Sequence, residues 1–327
     1  MASKRSLFAV AALAAVLIGT AVWVFRVGAP VDVDIGQGAT AGEVGRVLKE
    51  QGVIASPALF KAIAKATGLH RALKPGTFRL RRHMSSPEAL WRLTHDRILP
   101  TKVSIPEGWN AKQIAERLEA NGITPPGEFL AYAQANRLEG YLFPTTYFLH
   151  RAMRTEDVAR MMRQEFDRQA GPIIKNHPPM RLKPEHVVTM ASIVEREAVL
   201  PQERPTIAAV YLNRLEKRMR LEADPTVQYA LGYWKKGLTH ADLATPSPYN
   251  TYANRGLPPG PICSPSLESI KAVLAPAKTN ALYFVANNTG GHTFNETFEE
   301  HLKAKDLAAK ERRRNRLLKK QQQQQGR

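Results

Sequence analysis

The chain repeats itself. Residues 34–54, DIGQGATAGEVGRVLKEQGVI, align at an offset of 70 with residues 104–124, SIPEGWNAKQIAERLEANGIT. Ile35, Gly38, Ala41, Leu48 and Gly52 recur as Ile105, Gly108, Ala111, Leu118 and Gly122. Each copy reads as a short strand, a glycine turn, a helix opened by Thr40 or Asn110, and a glycine stop. Small polar side chains cap helix N-termini, and glycine accepts the left-handed backbone that ends helices. Apolar residues at 44, 47 and 48, and at 114 and 118, recur with helical period. Between the copies, KPGTFRLRRHMSSPEALWRL (residues 74–93) reads as a turn, a strand and a helix starting at Ser85 or Ser86. Strand, helix, helix, strand over residues 31–98 makes a small module, and the fold class expected is α+β.

A length of 327 residues, 43% of them apolar, allows roughly two domains with ordinary cores. Residues 6–25, SLFAVAALAAVLIGTAVWVF, carry no charge and follow Lys4 and Arg5. As a helix they span about 30 Å, the thickness of the hydrocarbon layer. A cleavable signal has a shorter apolar stretch, and Pro30 follows the one small-residue site, so an uncleaved anchor is expected. The basic flank keeps residues 1–5 cytoplasmic and the body outside. That placement removes nucleic acid as a partner despite a net charge of +18. Part of the excess is local: residues 309–327 hold eight basic side chains against one acid and run into five glutamines. They read as a disordered basic tail. The single cysteine, Cys263, permits neither an intramolecular disulfide nor a Cys-x-x-Cys site.

From residue 100 to 305 the composition suits a second, larger α+β domain. EGYLFPTTYFL (139–149) is aromatic-rich, and helices are expected over 155–170, from near 184, over 203–217 and over 267–274. The loop SPYNTYANRGLPPGPICSP has five prolines and two tyrosines, a stiff polar and aromatic surface suited to sugar or peptide. The helix from 184 holds two acids, Glu195 and Glu197, beside an apolar stripe of Val187, Met190, Ala191, Val194 and Ala198. At about 100° per residue the two carboxyls lie about 160° apart, so they cannot act as a pair. Either both are solvated flank residues, or one is desolvated, keeps its proton near neutral pH and serves as a general acid. The spacing does not choose between them. His292 and His301 lack metal-ligand spacing, Ser192 lacks nucleophile-elbow glycines, and no phosphate loop occurs.

The segments MASIVERE, AAVYLNRL, MRLEADPTVQYALG, TPSPYNTYANRGLPPGPI, AVLAPAKTNALYFVAN and GGHTFNETFEEH, in this order and preceded by EGYLFPTTY, resemble the endolytic murein transglycosylase family, also called MltG or YceG-like. The resemblance covers about residues 31–305. It implies a single-pass protein of the cytoplasmic membrane with a periplasmic catalytic domain and a LysM-like module at 31–98. The implied activity is a lyase that cuts the β-1,4 bond between N-acetylmuramic acid and N-acetylglucosamine inside peptidoglycan strands, leaving 1,6-anhydro ends and limiting nascent strand length. The second glutamate of the motif, Glu197, is the implied catalytic residue. Asn213, Asp224, Thr226, Tyr249, Asn250, Tyr252, His292 and Asn295, as motif members, are candidate substrate contacts. No cofactor or metal is implied. The implied partners are glycan strands, peptidoglycan synthases and, through the anchor, the membrane. Two departures stand beside the motif: Arg218 where the family usually has glycine, and Ala198 where threonine often follows the glutamate. The competing readings are a glycan-binding scaffold without activity and a hydrolytic muramidase, for which Asp224 is the candidate second carboxylate.

Overall fold

The computed structural model describes residues 28–36, 38–96, 98–151, 153–177, 182–235 and 237–325. The expected membrane helix at 6–25 and the cytoplasmic residues 1–5 lie outside them. Among the described residues no helix is long and apolar enough to cross a membrane. The architecture is mixed α+β, and the chain divides into two compact units.

The first unit holds residues up to Val103 together with Asn121–Ile123 and Tyr147–Arg154. Strand β1 (Pro30–Ile35) pairs antiparallel with β2 (Gly76–Arg81), Pro30 opposite Arg81 and Ile35 opposite Gly76. Alternation sends Val33, Ile35, Phe78 and Leu80 into one core, while Asp32 and Arg79, opposite each other, form an ion pair on the outer face. Helices α1 (Ala41–Glu50) and α2 (Pro57–Ala66) connect the strands, and α3 (Ser86–His95) follows β2. Val44, Leu48, Phe60, Leu90 and Leu93 meet Val33 and Phe78 in that core. Thr40 caps α1 in a full capping box with Glu43, and Gly52, at φ +71°, ends it. Strands β3 (Thr101–Ser104) and β4 (Thr146–Leu149) form a second two-stranded sheet.

The second unit contains Ser104–Ala120, Thr124–Thr146 and everything from Thr155 onward. Helix α4 (Ala111–Ala120) opens as the repeat predicts, with Asn110 and Gln113 exchanging side-chain-to-backbone hydrogen bonds. Helices α5 (Pro126–Ala135), α6 (Thr155–Gln169) and α7 (Gly171–Lys175) precede the central helix α8 (Pro184–Glu197). Then come α9 (Arg204–Glu216), α10 (Asp224–Leu231), the short α11 (His240–Leu243) and α12 (Leu267–Leu274). A hairpin of β5 (Tyr283–Ala286) and β6 (His292–Asn295) leads into α13 (Phe298–Gln325).

Two features differ from expectation. The single stripe on α8 understates its burial: every residue from Val187 to Val194 is buried. Neighbours on several sides explain it, since α8 packs on α7, α9, α10 and α12. The loop after residue 260 adds two ties: the Ile262 N–H donates to Ser192 Oγ (3.0 Å) and Cys263 Sγ to the Ser192 carbonyl (3.3 Å). The second difference is the tail, where helix α13 continues through Gln325 in place of disorder from 309. Residues 298–325 contain no glycine or proline and are dominated by Ala, Leu, Glu, Lys, Arg and Gln, the strongest helix formers. Asn288 Nδ2 to Glu311 (2.6 Å) and Arg312 to the Ala286 carbonyl (3.3 Å) tie this helix to the hairpin.

Arg218, where glycine was expected, has φ +52°. That is the left-handed region, in which a Cβ is strained and glycine is not. Arg218→Gly is therefore expected to raise stability by about 1 kcal/mol, read as a higher denaturant midpoint with an unchanged slope. An unchanged or lower midpoint would show that the arginine side chain compensates for its backbone.

Candidate active site

Glu197 is the last residue of α8, and Ala198 leaves the helical conformation at φ −69°, ψ 109°. Its carboxyl thus lies at the negative end of the helix dipole, where the neutral acid is favoured. Tyr211, buried on α9, donates its hydroxyl to Glu197 Oε1 (2.9 Å). Phe284 of β5 holds that ring edge-on, with centroids 5.8 Å apart. Burial is the largest influence on the Glu197 carboxyl and raises its pKa. The Tyr211 hydrogen bond opposes the rise, the charge of Asp224 adds to it, and the Arg214 guanidinium opposes it. The balance lies at about 7, well above the usual 4.5. Burial, with the charge of Glu197 beside it, keeps Tyr211 well above the ordinary phenol range, so it remains a donor. Near neutral pH this carboxyl can both give and take a proton, which acid–base catalysis at a single group requires.

Asp224 begins α10 and accepts a hydrogen bond from the Tyr252 hydroxyl (2.6 Å). Burial, and then that bond, raise the Tyr252 pKa. Arg214 is buried and spent on backbone: Nε donates to the Leu282 carbonyl (2.6 Å) and Nη1 to the Leu221 carbonyl (2.7 Å), with Glu222 3.6 Å away. It fixes β5 and the start of the 221–224 segment around the site.

Glu195 has a different environment. Its side chain is only 7% exposed. Oε2 accepts from the Ser266 N–H (3.0 Å), the Ser266 hydroxyl and the Ser269 hydroxyl (2.6 Å), and Oε1 faces Arg204 at 3.4 Å. These donors tie α8 to the N-terminus of α12, which Ser266 caps. Each of these hydrogen-bond partners is a donor, so the Glu195 side chain serves as a structural tie. The two acids separate as the 160° estimate predicts, each into its own environment.

The other nominated residues divide. Asp224 and Tyr252 join the Glu197 cluster. Asn213 Nδ2 donates to the carbonyls of Thr279 (2.9 Å) and Ala281 (3.1 Å). Thr226 donates to the Ala223 carbonyl (2.7 Å) and meets the Thr251 hydroxyl at 2.9 Å. Asn250, fully buried, donates to the carbonyls of Leu243 and Thr245, 2.9 Å each. His292 is clasped by Glu203, Nδ1 to Oε2 at 2.7 Å and its N–H to Oε1 at 2.8 Å. These four hold loops. Asn295 pairs with Tyr283 across the hairpin and has a buried Oδ1 without a hydrogen-bond partner. Tyr249 packs on Tyr229, centroids 4.8 Å apart, beside a cavity of about 1270 Å³ that Glu197 does not line. Among the described residues no group of three His, Cys, Asp or Glu side chains is placed to hold a metal ion.

Sequence reasoning did not single out Tyr211, the donor to Glu197, or Glu139, a buried acid in the wall of that cavity. Tyr211 stood among apolar helix positions. The aromatic EGY stretch was the only signal for Glu139.

Comparison with known proteins identifies the family. The model of the YceG-like family matches residues 33–307. The endolytic murein transglycosylase of Bacillus subtilis (strain 168) is 31% identical over 303 residues, 84% of each chain. The protein of the same name from Streptococcus pneumoniae (serotype 2, strain D39) is 30% identical over 313 residues, and the match covers 83% of this chain but 56% of that relative's length. The 2.6 Å crystal structure of a yceG-like protein from Listeria monocytogenes aligns with a TM-score of 0.55 at 32% identity, over 84% of this chain and 98% of that one. With most of its length matched and its motif acids on one central helix, the chain belongs to the YceG-like family.

Proposed function

We propose that the protein is a lytic transglycosylase that cuts peptidoglycan strands internally, with Glu197 as its single acid and base. The observation that carries this reading is the Glu197 carboxyl at the end of the motif helix, hydrogen-bonded by buried Tyr211 and pushed up by burial to about 7. Glu139 is likewise raised to about 7, but its oxygens are taken by the Ala111 N–H and the Tyr229 hydroxyl. Protonated Glu197 gives its proton to the glycosidic oxygen, and the C1–O bond of the muramic residue breaks. The 6-hydroxyl of the same sugar closes on C1 and passes its proton to Glu197. The carboxyl is regenerated, no water enters, and the product carries a 1,6-anhydro end. Hydrolysis would need a second carboxylate to activate water or attack the sugar. Asp224 is the candidate, and its bond from Tyr252 suits it better to raising the pKa of Glu197.

The names of the relatives support the substrate. The strand, helix, helix, strand order of the first unit supports reading residues 31–98 as a LysM-like glycan-binding module, with residues 100–305 as the catalytic domain. The uncharged stretch at 6–25 supports a single membrane anchor with the catalytic domain periplasmic, close to peptidoglycan synthases. Digestion of purified glycan strands by the full chain, read by mass spectrometry, is expected to yield anhydro-muramic ends. Products carrying an added water would replace the lyase with a hydrolase and direct attention to Asp224. Binding without cleavage would leave a scaffold protein.

A further inference from the structure

The cavity of about 1270 Å³ lies entirely within the second unit and is distinct from the Glu197 cluster. At its wall Glu139 accepts the Ala111 N–H (3.1 Å) and the Tyr229 hydroxyl (3.1 Å), joining the start of α4 to the end of α10. Tyr229 in turn packs on Tyr249. Leu130, Leu182, Leu215, Leu257 and three prolines supply apolar walls. Gly140 is required there, because a Cβ at that position would fall 2.3 Å from Pro261, and its φ is +81°.

The edge is different in character. Lys112, Arg137 and His186 line it and are exposed. None of the three makes an ion pair within the described residues; the acids of the lining are Glu185 and Glu139, the latter bound by the Ala111 N–H and the Tyr229 hydroxyl. Arg137 also holds a left-handed backbone, φ +52°. Strain of that kind in a non-glycine residue persists where the surroundings impose it, and it concentrates at functional sites.

A neutral glycan asks for hydroxyl partners and ring stacking, and has no use for the exposed cations Lys112 and Arg137. A short peptide ending in carboxylates does. Its anions suit Lys112 and Arg137, its amides suit the carboxyl–phenol pair, and its methyl side chains suit the leucine and proline walls. The position is also suitable. Helix α10 runs from Asp224, whose charge reaches Glu197, to Tyr229 in the cavity, five residues or about 7.5 Å along the axis. We propose that this cavity binds the stem peptide of the muramic acid residue beside the cleaved bond, its carboxylates held by Lys112 and Arg137. The assignment rests on the peptidoglycan reading above and adds the part of the substrate that the glycan-cutting acid does not contact.

The test uses the full chain and two measurements. Calorimetry with the free stem tetrapeptide, carrying no sugar, is expected to give saturable binding, weakened about tenfold or more in Lys112→Glu/Arg137→Glu. Strands bearing peptides are expected to be cut about tenfold faster, as kcat/KM, than strands stripped by an amidase, and the double variant brings that ratio towards one. Arg137→Gly guards against misfolding: glycine suits the φ of +52°, so this variant should melt no lower than the parent and still lose peptide affinity. No peptide binding by the parent, or equal binding by all three proteins, overturns the proposal. Peptide binding without cleavage of either strand type would sink the lyase and leave the peptide site standing. Cleavage indifferent to peptides, with no calorimetric binding, does the reverse.

Discussion

Glu197→Gln is expected to lose activity by about 10²- to 10⁴-fold, the range in which positioned general acids act, with the fold intact. Glutamine keeps the shape, and its carbonyl can still accept the Tyr211 hydroxyl, so only the proton is removed. The parent's pH profile follows from the same group. The reaction starts from the protonated carboxyl, whose pKa is about 7, so kcat/KM should fall about tenfold per pH unit above that value. Asp224→Asn removes a charge that raises this pKa and should move the alkaline limb to lower pH. Stability has the matching sign. The folded pKa lies above the ordinary glutamate value of 4.5, so the group's contribution is fully present below 4.5 and is lost as pH rises through about 7. Above that range the parent carries a poorly solvated charge that the glutamine variant lacks. Glu197→Gln should then equal or exceed the parent by about 1–2 kcal/mol, a value reduced for the partial exposure of the side chain. Thermal melts below about pH 5 and above about pH 8 and a kcat/KM profile over the same interval check both signs. Full activity in Glu197→Gln would remove the residue from the mechanism.

What could be read in advance was local. Thr40, Asn110 and Gly52 announce helix ends because a cap is decided within three or four residues of sequence. The period of the 184–197 helix likewise placed Glu195 and Glu197 on opposite sides. The roles of the two acids are decided elsewhere. Glu195 meets Ser266 and Ser269, 71 and 74 positions away, and Glu139 meets Tyr229 at a distance of 90. No periodicity carries such information. Asn213, Asn250 and His292 attracted attention as polar side chains in motifs. Yet a long loop without regular structure leaves carbonyls that need partners, and Asn213 and Asn250 provide them, while the His292 ring and N–H are both held by the Glu203 carboxylate. The basic tail shows a further limit. Its charge suggested a solvated coil, while its Ala, Leu, Glu, Lys and Arg content favoured the helix that forms.

Glu195→Ala is expected to destabilise the protein by about 3–5 kcal/mol, the usual result of removing one member of a buried ionic and hydrogen-bonded group. The substitution strands the Ser266 N–H, two serine hydroxyls and Arg204, whose Nε already lies buried without a partner. It also detaches α8 from the capped start of α12, which lies in the same core as Val194 and Ile270. For a folded unit of this size the loss corresponds to roughly 10 °C in melting temperature. Glu195→Gln should recover part of the loss, because its amide oxygen can keep the three donors that meet at Oε2 while its N–H₂ would face Arg204. The pair of acids thus predicts opposite phenotypes two residues apart. The Glu197 variant melts at or above the parent and is inactive. The Glu195 variant melts far lower, but its folded fraction, assayed well below that melting point, still cuts. Stability and activity are separable at this site because each carboxyl is bound by a different set of donors, serines and an arginine for Glu195 and a tyrosine for Glu197. A Glu195→Ala protein that melts like the parent but is inactive would exchange the two roles.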